Sequence, residues 1–385
     1  MAEDWEAGGF GLYLHWPYCE AKCPYCDFNS HVSRQIDHAA WRDAYLRELE
    51  RAASETPGRI LHSVFFGGGT PSLMQPETVG RIIDKIRSLW PSANDLEITL
   101  EANPGSVEAG KFRAFRDAGI NRVSMGVQAL NDADLKRLGR IHTAKEAMTA
   151  FDIARSTFER VSFDLIYARQ GQSLADWKAE LEQALSMAVD HLSLYQLTIE
   201  QGTAFGDRYN AGKLRGLPDE DLGADLFAMT QDICGTNGLP AYEVSNHARD
   251  GAQSRHNLIY WRYGDYLGLG PGAHGRLTLG GQRWATECYS APNRWLETSA
   301  NGASEKPRTP LTREDEASEF LLMGLRLKEG ISLDRYEALA GKPLSSGALA
   351  NLRDLGMIEP LGDKLIVSNQ GFMILNTIIE TLLAD

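Results

Sequence analysis

Short hydrophobic stretches alternate with amphipathic segments through the first two hundred residues of the chain. The hydrophobic stretches are about four to eight residues long and rich in branched and aromatic side chains, which is typical of buried strands. Between them, apolar residues such as Trp41, Tyr45 and Leu49 recur at helical spacing. This alternation predicts a parallel sheet with right-handed crossovers, either doubly wound or curved into a barrel. The predicted strands are residues 11–15, 62–67, 96–101, 121–127, 160–166 and 191–198.

The pattern changes after residue 200. We predict a loop over 206–221, then a helix that ends near Asn237, and a glycine-rich block at 255–275. From Thr312 onwards helical periodicity returns, and the segment "MIEPLGDKLIVS" is predicted to form a hairpin. Helices followed by such a two-stranded wing are typical of a winged-helix-like domain. We place the helices before the hairpin at 313–328, 332–340 and 345–355, and a last helix after it at about 370–383.

Residues that a hydrophobic core does not need stand at the ends of the first five predicted strands. The first strand leads into a group of cysteines, and the second leads into "GGGTPS" at 67–72. The third ends at Glu101, the fourth at Gln128, and the fifth contains Asp164. Ligands of parallel α/β proteins bind at the carboxyl ends of the strands. The positions therefore predict one site there and favour a barrel.

Cys19, Cys23 and Cys26 form the spacing C-x3-C-x2-C. Thiolates this close in sequence can bind one soft-metal centre from a single loop. Structural zinc needs four ligands, and His15 or His31 could supply the fourth. A [4Fe-4S] cluster is the alternative, because three cysteines would leave one of its irons open for a small ligand.

Composition limits the classes of function. The chain has 385 residues, 43% of them hydrophobic and 24% charged, which is typical of a globular protein. Its net charge of -13 argues against nonspecific binding to nucleic acid or to anionic membranes. We expect no transmembrane helix, and the start "MAEDWEAGGF" does not resemble a signal peptide. Five cysteines, three of them clustered, fit a metal site in a reducing cytoplasm better than a disulfide framework.

The cysteine motif, with Tyr25 just before its last cysteine, resembles that of the radical S-adenosylmethionine (SAM) enzymes. Later motifs follow in the order found in the oxygen-independent coproporphyrinogen III oxidase group and, more specifically, in its heme-chaperone branch. They are "YLHWPYCEAKCPYCDFNS", "FFGGGTPSL", "EANPG", "SMGVQ", "LGRIHT", "FDLIYA" and "HNLIYWRYGDYLGLGPGAHG". The resemblance extends over essentially the whole chain. It implies an α/β fold, a partial (β/α)6 barrel with a small C-terminal winged-helix-like domain.

The resemblance also implies the cofactors and their positions. The three cysteines would hold a [4Fe-4S] cluster whose open iron binds S-adenosyl-L-methionine. Residues 1–200 would form the core with both cofactors, 201–310 an extension of the barrel that carries "HNLIYW", and 311–385 the winged-helix-like domain. The implied cofactor-binding positions are Tyr13, Phe28, Gly68, Gly69, Thr70, Glu101, Gln128, Arg140 and Asp164.

Departures from the oxidase pattern favour the heme chaperone. The oxidases have a further cysteine two positions after the third, where this chain has Phe28, and they carry a longer segment before the first strand. The oxidase, which decarboxylates coproporphyrinogen III in porphyrin biosynthesis, is the alternative function, and the sequence leaves open whether radical chemistry turns over. A further departure is "YARQGQ" at 167–172, where the family usually has "YGLPGQ". It changes a loop near the predicted site.

His256 of "HNLIYW" is the predicted heme ligand, because a neutral imidazole is the usual protein donor to heme iron. Tyr260 and Trp261 could pack against the macrocycle. Without the resemblance, a structural histidine beside two core aromatic residues is the more ordinary interpretation. His247 and His274 are the next candidates.

The resemblance implies heme and heme-accepting proteins, membrane-associated ones included, as partners. We expect no nucleic-acid partner, because residues 313–385 contain more acidic than basic side chains. We expect the protein in the cytoplasm, and a homodimer is compatible with this branch of the family.

Overall fold

The computed structural model describes residues 3–33 and 35–384. In this part of the chain the main element is an eleven-stranded sheet, in which the six predicted strands lie side by side in chain order. Neighbours among the six pair in parallel. The strand predictions are thus confirmed to within a few residues at each end. The strands are β1 (Phe10–Trp16), β2 (Leu61–Gly68), β3 (Ser92–Ala102), β4 (Arg122–Gln128), β5 (Arg160–Tyr167) and β6 (His191–Gln196).

Other strands cover the two edges of this six-stranded wall. Asp265–Leu269 pairs in parallel with β1, and Asn246–Ala248 pairs in antiparallel fashion with β6. The barrel is therefore partial, as the resemblance implied. Antiparallel strands continue the sheet beyond β1: His274–Leu279, Gln282–Glu287 and Thr309–Pro310.

Helices cross between the strands and bury one apolar side. In the helix after β2, Val79, Ile82, Ile83 and Ile86 are buried in the main hydrophobic core. Capping side chains fix where several of these helices begin. The helices before residue 240 are α1 (His38–Glu55), α2 (Pro76–Leu89), α3 (Ala109–Asp117), α4 (Asp132–Arg137), α5 (Ala144–Thr157), α6 (Leu174–Met187), α7 (Ala204–Asn210) and α8 (Glu220–Thr236).

The predicted loop over 206–221 is wrong at its start, because Ala204–Asn210 form α7. Thr203 caps this helix by accepting a hydrogen bond from the Gly206 N–H at 3.0 Å. A Cβ at Gly206 would lie 2.4 Å from the Glu200 carbonyl oxygen, so the close packing requires glycine. A glycine inside so short a helix conceals the helical pattern in the sequence. The helix predicted to end near Asn237 is α8.

The last third of the chain contains a second hydrophobic core around Leu321, Ile331, Leu365 and Ile378. Helices and an antiparallel hairpin surround it, which confirms the winged-helix-like arrangement, although the first helix ends at Gly324 rather than near 328. The elements are α9 (Arg255–Trp261), α10 (Pro292–Ser299), α11 (Arg313–Gly324), α12 (Leu333–Ala340), α13 (Ser346–Asp354), α14 (Leu375–Leu383) and the strands Ile331–Ser332, Ile358–Leu361 and Lys364–Val367. Short 3-10 helices are Asp4–Ala7, Pro71–Leu73, Pro104–Ser106 and Gly371–Ile374. Within the described ranges, no helix combines the length and apolar character that crossing a bilayer requires.

Candidate functional site

The three clustered cysteines lie in the loop that follows β1. Tyr18–Cys19 and His31–Val32 pair as a two-stranded ribbon, which holds the two ends of the loop together. Within the loop, the Cys26 N–H donates to the Cys23 carbonyl at 3.2 Å and forms a turn. The ribbon and the turn place all three thiols on the border of one cavity at the carboxyl end of the strands.

Most of the residues singled out in the sequence line this same cavity. The structure thereby brings together residues from the cysteine loop and from β2 to β5. Tyr13 and His256 do not line it. The singled-out residues that do are Cys19, Cys23, Cys26, Phe28, Gly68, Gly69, Thr70, Glu101, Gln128, Arg140 and Asp164.

Arg140 connects the cysteine loop to two strand ends. Its Nη1 donates to the Cys23 sulfur at 3.4 Å, and its Nη2 donates to the Gly126 carbonyl at 2.7 Å and to the side-chain oxygen of Asn103. Its Nε is buried and makes no hydrogen bond within the described residues. A buried guanidinium N–H without a partner costs free energy. Arg140 can therefore gain from an anionic or polar ligand in the cavity.

Asn103 is a site residue that the sequence reasoning missed. Besides accepting from Arg140, its amide donates to the Thr70 hydroxyl at 2.9 Å, and that hydroxyl donates to the Cys19 sulfur at 3.4 Å. It thus positions two groups that border the cavity. The motif "EANPG" marks this segment in the sequence, and only the contacts distinguish Asn103 from an ordinary loop residue.

Two buried carboxyl groups face the cavity. Burial raises the pKa of Glu101 to about 8, and the neighbouring Asp164 adds to the rise, although the Gly68 N–H donates to Glu101 at 3.1 Å. Burial also raises the pKa of Asp164 to about 6, against the effect of the Ser124 hydroxyl, which donates at 3.2 Å. A cationic ligand or hydroxyl donors in the cavity would favour the ionised forms. The chemistry of this wall suits a ligand with ammonium or hydroxyl groups.

The two glycines at the end of β2 are required by packing. Gly68 has φ +108°, and a Cβ there would lie 2.6 Å from the His15 ring. A Cβ at Gly69 would lie 2.7 Å from the Tyr18 carbonyl oxygen. Contact with β1 and the cysteine loop therefore explains both glycines, and it brings their backbone to the cavity surface.

Gln128 ends β4 in a strained conformation. Its φ of 76° lies in the left-handed region, and the pairing with β5 shifts register between Met125 and Gln128. A residue other than glycine pays about 1–2 kcal/mol for this conformation. The surrounding fold maintains it, and the side chain borders the cavity.

The structure does not favour a tetrahedral zinc site at the cysteines. Both ring nitrogens of His15 are in contact with other groups, the Tyr13 hydroxyl at 3.0 Å and the Asn29 carbonyl at 2.9 Å. His31 contacts the Asn29 side chain at 3.1 Å. Over residues 3–33 and 35–384, no three His, Cys, Asp or Glu side chains are grouped closely enough to hold a metal ion. A [4Fe-4S] cluster offers a separate iron to each thiolate. Thiols that border a shared cavity can thus fit a cluster without converging on a single ion.

Tyr13 and Phe28 occupy different surroundings. Tyr13 is half-buried on β1, where its ring stacks on Phe65 and on His256 at centroid distances of 6.2 and 6.3 Å. Phe28 lies on the cavity border and is 56% exposed. An exposed aromatic ring beside the thiols leaves apolar surface available to a ligand.

His256 is fully engaged inside the protein. Its Nδ1 lies 2.8 Å from the Ser63 hydroxyl, its Nε2 lies 2.7 Å from the Tyr260 hydroxyl, and Phe65 stacks on its ring. Burial lowers the pKa of His256 to about 3. Binding iron would require the ring to give up one of these hydrogen bonds and to become accessible. The structure thus gives the predicted heme ligand a structural role and offers no free nitrogen there. Of the next candidates, His247 is buried and His274 is exposed.

The unusual "YARQGQ" segment contains a buried charge network. Arg169 is 3% exposed, and its guanidinium contacts Asp134 in α4 at 2.9 Å and the Glu180 carboxylate in α6. Glu180 also accepts from the Leu130 N–H at 2.7 Å. The network therefore joins α6 to the segment between β4 and α4, which lies between Gln128 and Arg140.

Comparison with known proteins gives the family. The model of the radical SAM superfamily matches residues 13–184, and that of the HemN C-terminal domain matches residues 311–374. The heme chaperone HemW of Escherichia coli is 36% identical to this chain over 97% of the chain and 98% of its own length. The chain belongs to the HemW branch of the radical SAM family.

Other relatives of this radical SAM chain are equally similar over its length. HemW of Haemophilus influenzae is 37% identical, over 97% of this chain and 98% of its own length. The zebrafish (Danio rerio) mitochondrial radical S-adenosyl methionine domain-containing protein 1 is also 37% identical, over 97% and 87%. Among solved structures, HemN, the E. coli coproporphyrinogen III oxidase, matches with a TM-score of 0.80 over 97% of this chain and 90% of its own, at 21% identity. That similarity confirms the fold of this chain.

Proposed function

We propose that this protein is a heme chaperone that carries a [4Fe-4S] cluster and SAM and delivers heme to acceptor proteins. The observation that carries the proposal is its similarity to heme chaperones, 36 to 37% identity along nearly the whole chain. The oxidase HemN shares the fold at only 21% identity. Full-length similarity to named chaperones supports the chaperone over the alternative, an oxygen-independent coproporphyrinogen III oxidase.

The cysteine loop fits the cluster, and the adjoining cavity fits SAM. Cys19, Cys23 and Cys26 would hold the cluster from one side of the cavity. The unpaired Nε of Arg140 could bind the carboxylate of SAM, and Glu101 could accept from its ammonium or ribose hydroxyls. When bound, the reduced cluster and SAM supply radical chemistry. The residues of this chain bind and orient the two groups. SAM contacts of Gly68, Gly69, Thr70, Gln128, Asp164 and the Tyr13 backbone are part of this proposal.

Phe28 supports the choice between chaperone and oxidase. The oxidases of the group have a cysteine where this chain has Phe28, and that side chain lies on the cavity border. An aromatic ring there cannot ligate a metal or transfer a proton. The cavity therefore lacks a thiol that decarboxylating relatives carry.

Anaerobic reconstitution followed by two separate assays tests the proposed function. Hemin titration should change the Soret spectrum at equimolar heme, and iron and sulfide analysis should give a cluster that Cys19→Ala, Cys23→Ala or Cys26→Ala abolishes. Incubation of the reduced protein with SAM and coproporphyrinogen III should leave the substrate unchanged. Conversion of the substrate to protoporphyrinogen, or no heme binding, would overturn the chaperone.

Delivery needs its own measurement. Heme-loaded protein mixed with a heme-free acceptor, soluble or membrane-embedded, should transfer heme faster than free hemin at the same concentration. Sedimentation with and without heme would test for a homodimer, and fractionation of cells would test for a cytoplasmic location. Transfer no faster than from free hemin would leave a heme-binding protein without a delivery function.

A further inference from the structure

A second groove lies where the barrel meets the C-terminal core. It measures about 510 Å³ and is open to the surface. Tyr167 and Gln196, the last residues of β5 and β6, line it. This is the carboxyl end of the strands, where ligands of such barrels bind. The groove shares no lining residue with the cavity at the cysteines.

Several large apolar side chains line the groove. They include Phe227 of α8, Val244 and Phe372. Met373 and Ile374 stand on the rim with 47% and 45% of their surface exposed. Exposed large apolar side chains beside a groove are typical of a binding surface. They can cover the face of a flat apolar molecule.

Arg326 brings a positive charge to the groove. It is half-buried, and in the part of the chain that the structure describes no carboxylate lies within ion-pair distance of its guanidinium and no side-chain hydrogen bond forms. Burial lowers the pKa of Arg326, and the buried Glu243 compensates in part. The Lys328 ammonium lies over the Phe372 ring at 3.5 Å. Glu220 also lines the groove, but it is exposed to solvent, so its charge is screened more than that of the half-buried Arg326.

Among the described lining residues, Met373 offers the soft donor of the groove. A thioether sulfur is one of the axial ligands that heme iron accepts in proteins. Heme combines a flat apolar ring, two carboxylates and an iron that takes such a ligand. The groove combines apolar walls, an unpaired arginine and an exposed thioether.

We infer that this groove is the heme site: Arg326 pairs with a propionate, the apolar walls contact the ring, and the sulfur of Met373 ligates the iron. The inference rests on the proposed function, since it names where the heme binds. In this assignment His256 is not a heme ligand, which agrees with the hydrogen bonds that both of its ring nitrogens make inside the protein. The location beside β5 and β6 keeps heme at the same end of the barrel as the cysteine cavity.

Hemin titrations of the full-length protein test the assignment. Arg326→Gln should weaken binding on the order of tenfold, the usual worth of a charge-assisted hydrogen bond, and Arg326→Lys should lose less. Met373→Leu should change the Soret spectrum of the bound heme, because the thioether ligand is lost, and Met373→His should give an imidazole-type spectrum. Matched controls are Met148→Leu, 41% exposed on α5, and Arg353→Gln, whose side chain is 59% exposed.

Three outcomes separate the two proposals. Weakened binding and changed spectra in the groove variants, with unchanged controls and unchanged melting temperatures, support the groove. Heme binding by the unaltered protein that is the same in Arg326→Gln and Met373→Leu overturns the groove and leaves the chaperone intact. Absence of heme binding by the unaltered protein overturns both. His256→Phe serves as the competing assignment: spectral loss there alone would move the ligand back to "HNLIYW".

Discussion

Single residues in the cavity are held at a cost to stability, and Glu101 shows it most clearly. Its folded pKa of about 8 lies above the ordinary value of 4.5. Between these pH values the folded protein keeps a proton that the unfolded chain has lost, so stability falls as pH rises. Glu101→Gln should therefore stabilise the cofactor-free protein on the order of 2 kcal/mol at pH 8 and much less at pH 5. Urea unfolding at both pH values measures this, and equal gains at the two would contradict it.

For Arg140 we predict a loss of ligand affinity on mutation, where Glu101→Gln should give a gain in stability. Its guanidinium has a buried Nε without a hydrogen-bond partner, and its other nitrogens contact the cysteine loop and the strand ends. Arg140→Ala should weaken SAM binding by about 1–3 kcal/mol, the range for a hydrogen bond to a charged group. Equilibrium dialysis with labelled SAM measures the affinity, and iron content should stay unchanged. Arg137→Ala, an exposed neighbour at the end of α4, is the control. Equal SAM affinity in the Arg140 variant would remove it from the site.

At the scale of elements, Arg169 links α6 to the segment between Gln128 and Arg140. Arg169→Leu would leave the buried Glu180 without its cation, which typically costs about 3–5 kcal/mol. We expect this loss in urea unfolding and a weaker SAM affinity, because the segment loses its support. Adding Glu180→Gln should recover part of the stability, since the unpaired charge is gone. A single variant as stable as the original would contradict the network's role.

Strands and helices could be predicted from the sequence where a local hydrophobic pattern marks them. They could not be predicted where contacts between distant residues determine the structure. Hydrophobic runs marked the six strands, and the cysteines, the glycines after β2 and Glu101 were visible as residues with no core role. α7 escaped notice because Gly206 interrupts its pattern. Asn103 and Arg169 look like ordinary polar residues in the sequence, and only the fold brings Asn103 into contact with Arg140 and buries Arg169. The contact between the His256 ring and the Ser63 hydroxyl, 193 residues away in the sequence, is likewise visible only in the fold.

At the scale of the whole molecule, buried histidines predict sensitivity to acid. Burial holds the pKa values of these histidines below the ordinary 6.5. Below that pH the unfolded chain therefore binds protons that the folded protein does not bind, and stability falls as the pH falls. Glu101 and Asp164 act in the opposite sense and offset part of the loss. We expect a net loss of stability as the pH falls from about 6.5 to 4.5. The buried histidines are His15, His142, His191, His247 and His256.

Urea unfolding at pH 7.5 and 5.5 measures this loss. His142→Gln should reduce the difference in stability between the two pH values, because it removes one of the titrating groups. The glutamine amide can still donate toward the Val127 carbonyl, which the histidine contacts at 3.2 Å. Mutation of an exposed histidine, His274→Gln, should leave the difference unchanged. Higher stability at pH 5.5 than at 7.5 would show that the carboxyl groups dominate.

The cysteine loop is fastened by residues far along the chain, and this matters during synthesis. The Asn29 amide donates to the carbonyls of Pro271 and Ser290 at 2.8 Å each, across 242 and 261 residues. β1 likewise pairs with Asp265–Leu269. On a ribosome the three thiols leave the exit tunnel long before these partners are translated. The nascent loop is then exposed to oxidants and stray metal ions for tens of seconds, since translation adds about 5–20 residues per second. We therefore expect the cysteines to be loaded with iron and sulfide only after the whole chain has been synthesised.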